Sequence, residues 1–267
     1  MPRAVILTYH PDEYHAVRTH LTHLAEEIHS QGTVYELGQF SANGKTWEVA
    51  ITEVTAGNSD AAMETERAIA YWQPNVVLSV GVAAGLKDVT AGDVVAAIKV
   101  YGYEAGQVTA SGFLPKPKLG LASYVLEQRA KAEAKREHWL EQIQGDEPNW
   151  TPKAIVGAIA AGEKEITSSQ SEIYQLLQSN YGDALAVDVT GYGVLKAVHA
   201  NAETNALIIR GITHVIEQDV TIDPAKSRIV AAQHASAFAF EILAKLEAAS
   251  SLGLSPAQYT KLKQNLA

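Results

Sequence analysis

Two short stretches, residues 186–191 (AVDVTG) and residues 210–214 (RGITH), decide the fold of this chain. The first ends a short apolar segment and the second continues the apolar run 206–209, so both are typical of buried strands. Residues 191–200 between them have the pattern of a helix, which predicts a β-α-β crossover. Ligands of open α/β sheets bind at the carboxyl ends of strands. We therefore expect the polar residues of both stretches to face one pocket.

The composition predicts one α/β domain with a large core and excludes several classes of partner. The chain has 267 residues, of which 47% are hydrophobic, and its formal net charge is −9. This charge argues against nucleic acid and against an anionic membrane surface, because both attract clustered cations. The chain contains no cysteine, which excludes disulfides, thiolate metal sites and a cysteine nucleophile. No apolar run approaches the ~20 residues of a membrane helix, and the N-terminal apolar run is too short for a signal peptide, so we expect a cytoplasmic protein.

Local patterns predict the elements of the first third of the chain. An apolar strand over residues 4–8 leads into a helix over residues 11–28, with Pro11 in its first turn. Residues 33–40 and 46–54 alternate apolar and polar side chains around Asn43-Gly44, which predicts a β-hairpin.

The elements of the remaining chain follow from the same signals of caps, apolar runs and breakers. The predicted elements, in order, are a helix over residues 57–71, a buried strand over 76–80, a glycine loop over 81–85, a turn over 91–95, a loop over 101–117, a helix over 119–143, a linker over 146–152, a strand over 154–161, a helix over 168–180, a closing helix over 226–248 and a final helix over 256–266.

Four motifs of the chain resemble those of a known family. Residues 188–191 (DVTG) and 210–214 (RGITH) resemble the E-M-E-G and R-x-I-S-D signatures of the nucleoside phosphorylase/nucleosidase superfamily. Residues 81–85 (GVAAG) and 91–95 (AGDVV) are similar to its G-x-A-G-G loop and its V-G-D-V-V strand start. The nearest members are the 5′-methylthioadenosine/S-adenosylhomocysteine nucleosidases. The resemblance implies a three-layer α/β/α fold with a mixed, mostly parallel sheet, forming a single domain over residues 1–267, with a helical and loop insertion at about 104–150.

The resemblance also implies roles for three side chains in breaking an N-glycosidic bond. Glu13 corresponds to the carboxylate that activates the attacking water, and His214 stands where the family has the acid that protonates the departing base. Asp188 keeps a carboxylate at the first Glu position of the E-M-E-G motif. The residues alone leave a second interpretation of Glu13 open, namely an acid of the first helical turn favoured by the helix dipole.

Two substitutions separate this chain from the family at positions that carry the chemistry. His214 replaces a carboxylic acid, and a His with a pKa near 6.5 still donates a proton close to neutral pH. Thr190 replaces the second Glu, and a Thr hydroxyl cannot accept from two vicinal sugar hydroxyls as a carboxylate does. Losing such a charged acceptor costs about 1.5–3 kcal/mol of binding. We therefore expect a changed ligand or a loss of catalysis.

The predicted substrate-binding residues come from strand ends and first helical turns that should converge. They are His10, Val82, Ala83, Glu165, Ile166, Val189, Thr190 and Tyr192. Neither Glu165 nor Ile166 is aromatic, although one of them stands near the position that stacks on a purine in the resembling family. His10, Asp188 and His214 also make a weak candidate for a divalent metal site. We nevertheless expect no metal and no cofactor, a small-molecule ligand, and a homo-oligomer, with a dimer favoured by the resemblance.

Three functions remain open at this point. The first is an enzyme that uses acid/base chemistry on a substrate other than an ordinary purine riboside, with Glu13 as base and His214 as acid. The second is an inactive protein that binds a nucleoside or regulates another protein. The third is a true adenine-releasing N-ribosyl hydrolase. We favour the first, because the core framework is intact while two positions in the pocket have changed.

Overall fold

The computed structural model describes residues 1–110, 112–144, 151–201, 203–216 and 223–246. The strands in these ranges are β1 (Arg3–Thr8), β2 (Thr22–Ile28), β3 (Val34–Ala42), β4 (Lys45–Glu53), β5 (Val76–Gly85), β6 (Val94–Gly102), β7 (Gly106–Thr109), β8 (Gly112–Pro115), β9 (Lys118–Leu121), β10 (Ala154–Ala161), β11 (Ala184–Asp188) and β12 (Asn205–Val215). The helices in the same ranges are α1 (Pro11–Arg18), α2 (Asn58–Trp72), α3 (Tyr124–Arg136), α4 (Glu172–Asn180), α5 (Gly191–His199) and α6 (Pro224–Lys245), and a 3₁₀ turn covers His138–Gln142.

One mixed sheet forms the centre of the described part of the molecule. Its strand order is β11-β10-β6-β12-β5-β1-β4-β3-β2, with β9 paired to β6. The four strands β4, β1, β5 and β12 are parallel to one another. The next strand, β6, is antiparallel to β12. The sheet curls so that β11 also pairs with the far end of β5. The carboxyl ends of β1, β5 and β12 therefore meet at one edge, which is the edge predicted to hold the site.

Both faces of the sheet are buried, which makes the fold three-layered. In β1, Ala4 and Ile6 pack into one core with helices α1, α3 and α6, while Val5 and Leu7 pack into a second core with α2 and α5. This alternation explains why the central strands are continuous apolar runs. The mixed α/β fold predicted from the sequence is confirmed. None of the described helices is both long enough and apolar enough to cross a membrane.

The predicted helix over residues 11–28 is wrong in its second half. Helix α1 ends at Arg18, and Thr22–Ile28 is strand β2, antiparallel to β3. The apolar spacing of Leu21 and Leu24 fits a helix, but these side chains pack over Gly38 of β3 instead. A Cβ added at Gly38 would lie 2.8 Å from the Leu21 Cβ, so the missing side chain provides the space for this edge of the sheet.

Three other predictions change because strands form where the local sequence pattern indicates a loop or a helix. Residues 81–85 are not a loop, since β5 continues to Gly85 in register with β12. The helix predicted over 119–143 is instead β9, α3 and the 3₁₀ turn. The loop predicted over 101–117 contains the hairpin β7–β8.

The remaining element predictions need smaller adjustments. The hairpin around Asn43-Gly44, the helix after Gly57 and the strand over 154–161 are confirmed. Helix α4 begins four residues later than predicted, with Ser171 as its N-cap. Val189 follows β11 and is not part of it. The closing helix begins two residues earlier than predicted and ends at Lys245. The final helix predicted over 256–266, most of the linker over 146–152 and residues 247–248 lie outside the described residues.

Candidate active site

A cavity of about 440 Å³ opens at the carboxyl edge of the sheet. Its walls are the ends of β5, β11 and β12, the chain after β1 and β10, and the first turns of α6. The volume lies within the range of small-molecule sites. The predicted site residues that line it are Val82, Ala83, Glu165, Ile166, Asp188, Val189 and His214, and those that do not are His10, Glu13, Thr190 and Tyr192.

Glu13 lies directly behind the cavity wall and is 2% exposed. Its Oε2 accepts the backbone N–H of Tyr9 at 2.6 Å and of His10 at 3.1 Å, and its Oε1 accepts the N–H of Val82 at 2.8 Å. The contact to His10 closes a capping box at the start of α1, which is the structural role that the sequence left open. Tyr9 and Val82 themselves line the cavity, so one layer of residues separates Glu13 from it.

The surroundings of Glu13 make it a stronger base than an exposed carboxylate. Burial raises the pKa of Glu13 above its ordinary value, and this effect exceeds the opposing effects of the Arg210 charge and of the three amide donors. A general base is most effective when its pKa lies close to the working pH. The raised pKa therefore suits Glu13 for accepting a proton from water.

Arg210 is the centre of a buried polar network under the cavity. The guanidinium is 3% exposed, and its Nε donates to Asp188 Oδ2 at 2.7 Å. Its Nη2 donates to Thr190 Oγ1 at 2.8 Å and to Ser79 Oγ at 2.9 Å. Its Nη1 donates to the carbonyl oxygens of Ser79 and Ile209, at 2.9 and 3.1 Å. Every nitrogen of the guanidinium thus has a partner.

This network determines what Asp188 and Thr190 present to the cavity. The Asp188 carboxylate accepts from Arg210 and from the Gly191 N–H at 3.1 Å, so a charge and an amide both hold it. Thr190 is 2% exposed, and its hydroxyl faces Arg210. The sugar-binding role predicted for Thr190 would therefore require the side chain to leave Arg210.

His214 is half-buried in the cavity wall at a bulge of β12. Ile212 pairs with Ala83 and His214 pairs with Ala84, so Thr213 is the additional residue that turns His214 towards the cavity. The Thr213 Oγ1 lies 2.9 Å from the His214 Nδ1, and the Ser227 hydroxyl of α6 donates to the Thr213 carbonyl. Burial lowers the pKa of His214 below its ordinary value, which favours the neutral imidazole at pH 7.

His10 and Tyr192 lie outside the cavity. His10 caps α1, and its Nδ1 accepts the Asp12 N–H at 3.1 Å. Tyr192 borders a separate cavity of about 240 Å³ on the α2 and α5 side, where its ring lies against Gly102. The weak metal candidate made of His10, Asp188 and His214 is also not supported, because Arg210 holds the Asp188 carboxylate.

The comparisons with known proteins agree with this architecture. The family model of the Phosphorylase superfamily matches residues 3–246. The chain belongs to the phosphorylase superfamily.

Solved structures of similar fold include three hydrolases. The 5′-methylthioadenosine/S-adenosylhomocysteine nucleosidase of Neisseria meningitidis, in complex with methylthio-immucillin-A, is 20% identical with a TM-score of 0.73, over 92% of this chain and 100% of that one. The futalosine hydrolase of Helicobacter pylori is 21% identical with a TM-score of 0.72, over 92% and 98% of the two chains. The Colwellia psychrerythraea 5′-methylthioadenosine/S-adenosylhomocysteine nucleosidase, in complex with adenine, is 23% identical with a TM-score of 0.72, over 91% and 94%. At these identities the likeness shows a nucleosidase-type fold.

Three further residues of this superfamily member line the cavity and are absent from the predicted set. Tyr9 follows β1, and burial together with the negative charges of Glu165 and Glu13 raises its pKa, so the phenol stays protonated. Arg228 comes from α6, and its Nε donates to Asp12 Oδ2 at 2.6 Å. Ser227 precedes it. The position of Tyr9 at a strand end was an available signal, whereas nothing local connects α6 with the start of α1.

The Glu13 carboxylate packs directly against the backbone of Gly81. A Cβ at Gly81 would lie 2.6–2.7 Å from the three carboxyl atoms of Glu13. We expect Gly81→Ala to displace Glu13 and to lower the free energy of unfolding by about 1–3 kcal/mol, as overpacking typically does. Gly182→Ala is a control for the effect on the glycine backbone, since its φ is not positive and the nearest atom to its Cβ, the Gln178 carbonyl oxygen, would lie 3.9 Å away. Urea unfolding measures both, and an unchanged stability of Gly81→Ala would contradict the tight seating of Glu13.

Proposed function

We propose that this protein is an enzyme that hydrolyses the N-glycosidic bond of a small nucleoside-like molecule, with His214 as general acid and Glu13 as general base. The observation that carries the proposal is that His214 lines the cavity, while Glu13 lies directly behind its wall and is held by the amides of two lining residues, Tyr9 and Val82. His214 pairs in the sheet with Ala84, while the amide that holds Glu13 belongs to Val82, two residues earlier on β5. Two residues of a strand span about 7 Å, so both side chains are anchored at the same end of β5.

The proposed reaction breaks the bond between the sugar C1′ and the base nitrogen. The departing base takes the electron pair of that bond and a proton from His214. A water molecule bonds to C1′ through its oxygen and gives its proton to Glu13. The transition state has a positively charged sugar, as in other glycoside hydrolyses.

The network around Arg210 supports a substrate other than an ordinary purine riboside. Among the described residues of the cavity wall, the carboxylates are Asp188, which is paired with Arg210, and Glu165. The position expected to hold a vicinal diol is occupied by Thr190, which has no carboxylate and whose hydroxyl accepts from Arg210. Tyr9 is the aromatic ring of this wall, whereas the predicted stacking position holds Glu165 and Ile166. We infer that the substrate is an N-glycoside recognised without its 2′-hydroxyl.

A second candidate is a protein that binds its ligand without turnover. One specific observation favours it, namely that amides hold the Glu13 carboxylate and Arg210 holds that of Asp188. Satisfied groups of this kind stabilise a fold without catalysing a reaction.

A panel of nucleosides tests the proposal. Ribosides, 2′-deoxyribosides, 5′-methylthioadenosine and S-adenosylhomocysteine are incubated at pH 5 to 8, and mass spectrometry detects the free base. We expect release from a 2′-deoxy compound at a rate equal to or above that of its riboside. Calorimetric binding without release across the panel would favour the binding protein. A strong preference for 5′-methylthioadenosine over its 2′-deoxy form would favour an adenine-releasing hydrolase.

Restoring the family residues should change the substrate preference. We expect the double variant T190E/H214D to gain adenine release from 5′-methylthioadenosine, because a carboxylate at position 190 accepts from both sugar hydroxyls. The two single variants serve as matched controls and should each gain less. If the unchanged protein already releases adenine as fast as the double variant, the proposed change of substrate is wrong.

A further inference from the structure

A second group of polar side chains lies far from the cavity, on the helices that cover one face of the sheet. It consists of Glu133 on α3, His138 in the 3₁₀ turn and Glu241 on α6, with one ligand atom of each within 4.8 Å of the others. Glu241 lies about 20 Å further along α6 than Arg228 of the cavity wall. The proposed hydrolysis uses none of these residues.

Both carboxylates of this group are buried and have an oxygen without a hydrogen bond. Glu133 is 0% exposed and Glu241 is 3% exposed, and the atoms without a hydrogen-bond partner are Glu133 Oε2 and Glu241 Oε1. Buried polar atoms are normally satisfied, so an open oxygen on each carboxylate of the group requires an explanation.

The cations nearby do not satisfy these oxygens. Arg129 and Arg136 both donate to Glu133 Oε1, at 3.0 and 3.2 Å, which leaves Oε2 open. The Lys245 Nζ lies 3.3 Å from Glu241 Oε1 as an ion pair without hydrogen-bond geometry. A cation bound by the three side chains would give both carboxylates a further partner.

We propose that Glu133, His138 and Glu241 bind a divalent transition-metal ion of the Zn²⁺ type. The combination of one imidazole with two carboxylates favours such an ion over Mg²⁺ and Ca²⁺, which prefer oxygen ligands throughout. His138 is exposed, so the ion has a direct path from solvent. Because the ligands come from α3, the 3₁₀ turn and α6, a bound ion would cross-link three elements and stabilise the folded state.

Titration of the chelator-treated full chain with Zn²⁺ tests this site. We expect one equivalent to bind saturably and to raise the melting temperature, and the same concentration of Mg²⁺ to leave it unchanged. His138→Ala should weaken binding by at least about tenfold, an effect of the size seen for conserved metal-site partners. His199→Ala is the matched control, since it removes another exposed histidine, and should bind as the unchanged protein does.

Two outcomes would overturn the site. One is the absence of saturable Zn²⁺ binding, and the other is equal affinity in His138→Ala, which would indicate adventitious binding to surface histidines. Glu241→Gln should also abolish the Zn²⁺-dependent rise in melting temperature. Should that variant fail to fold, the exposed position of His138 keeps the test decisive.

Discussion

Arg210→Met is expected to lower the free energy of unfolding by about 3–5 kcal/mol, the usual effect of removing one partner of a buried ion pair. The substitution leaves the Asp188 carboxylate as an uncompensated charge at 7% exposure. It also removes the donors to Thr190 Oγ1 and to both oxygens of Ser79. Urea unfolding followed by circular dichroism measures the change.

Two further variants separate the buried network from a general effect of losing an arginine. Arg18→Met is the matched control, because Arg18 is 45% exposed in its pair with Glu36 and such pairs contribute about 0–1 kcal/mol. Arg210→Met combined with Asp188→Asn should regain part of the lost stability, since the unpaired charge is removed. Equal losses for Arg210→Met and Arg18→Met would contradict the network.

Base release is expected to have a bell-shaped pH dependence, and His214→Ala is expected to lower kcat by about 10²–10⁴-fold. The reaction needs Glu13 ionised, and burial raises the pKa of Glu13 above 4.5, so the rate falls as the pH drops through that raised value. It also needs His214 protonated, and burial lowers the pKa of His214 below 6.5, so the rate falls as the pH rises through that lowered value. The rate therefore peaks between the two shifted pKa values.

The pH dependence of kcat, measured by mass spectrometry of the free base, checks this prediction. His214→Ala should lose the decline on the alkaline side, whereas His199→Ala should keep the profile of the unchanged protein. An unchanged pH profile in His214→Ala would exclude His214 as the acid.

The elements that the sequence predicts well are those whose signals are local. At the Asn43-Gly44 hairpin both residues have a positive φ, of 52° and 74°, which Asn-Gly adopts readily. The crossover from β11 through α5 to β12 follows from a strand pattern, a glycine and a second apolar run. Such signals need no knowledge of the rest of the chain.

Strands β2 and β9 could not be predicted, because distant partners decide them. The spacing of Leu21 and Leu24 fits a helix equally well, and only the pairing with β3 over Gly38 selects a strand. In the same way, β9 pairs with β6 while Gly120 leaves room for Leu195 of α5. These contacts are invisible in a window of neighbouring residues.

The candidate site was predictable in its location and not in its internal bonding. Asp188 and His214 are expected in one pocket because each lies at the end of a predicted strand, and both line the cavity. The sequence does not show that Arg210 engages Asp188 and Thr190, or that the Val82 amide holds Glu13 across the sheet. Both sets of contacts depend on the register between strands, which the amino-acid sequence alone does not specify.

The most direct test of the account compares base release by the unchanged protein and by Glu13→Gln on the best substrate of the panel, in single turnover. Glu13→Gln keeps the size of the side chain and removes its ability to accept a proton. The account predicts a rate at least about 100-fold lower with substrate binding retained by calorimetry. An unchanged rate in a folded Glu13→Gln variant would contradict the central claim that Glu13 and His214 act together across one cavity.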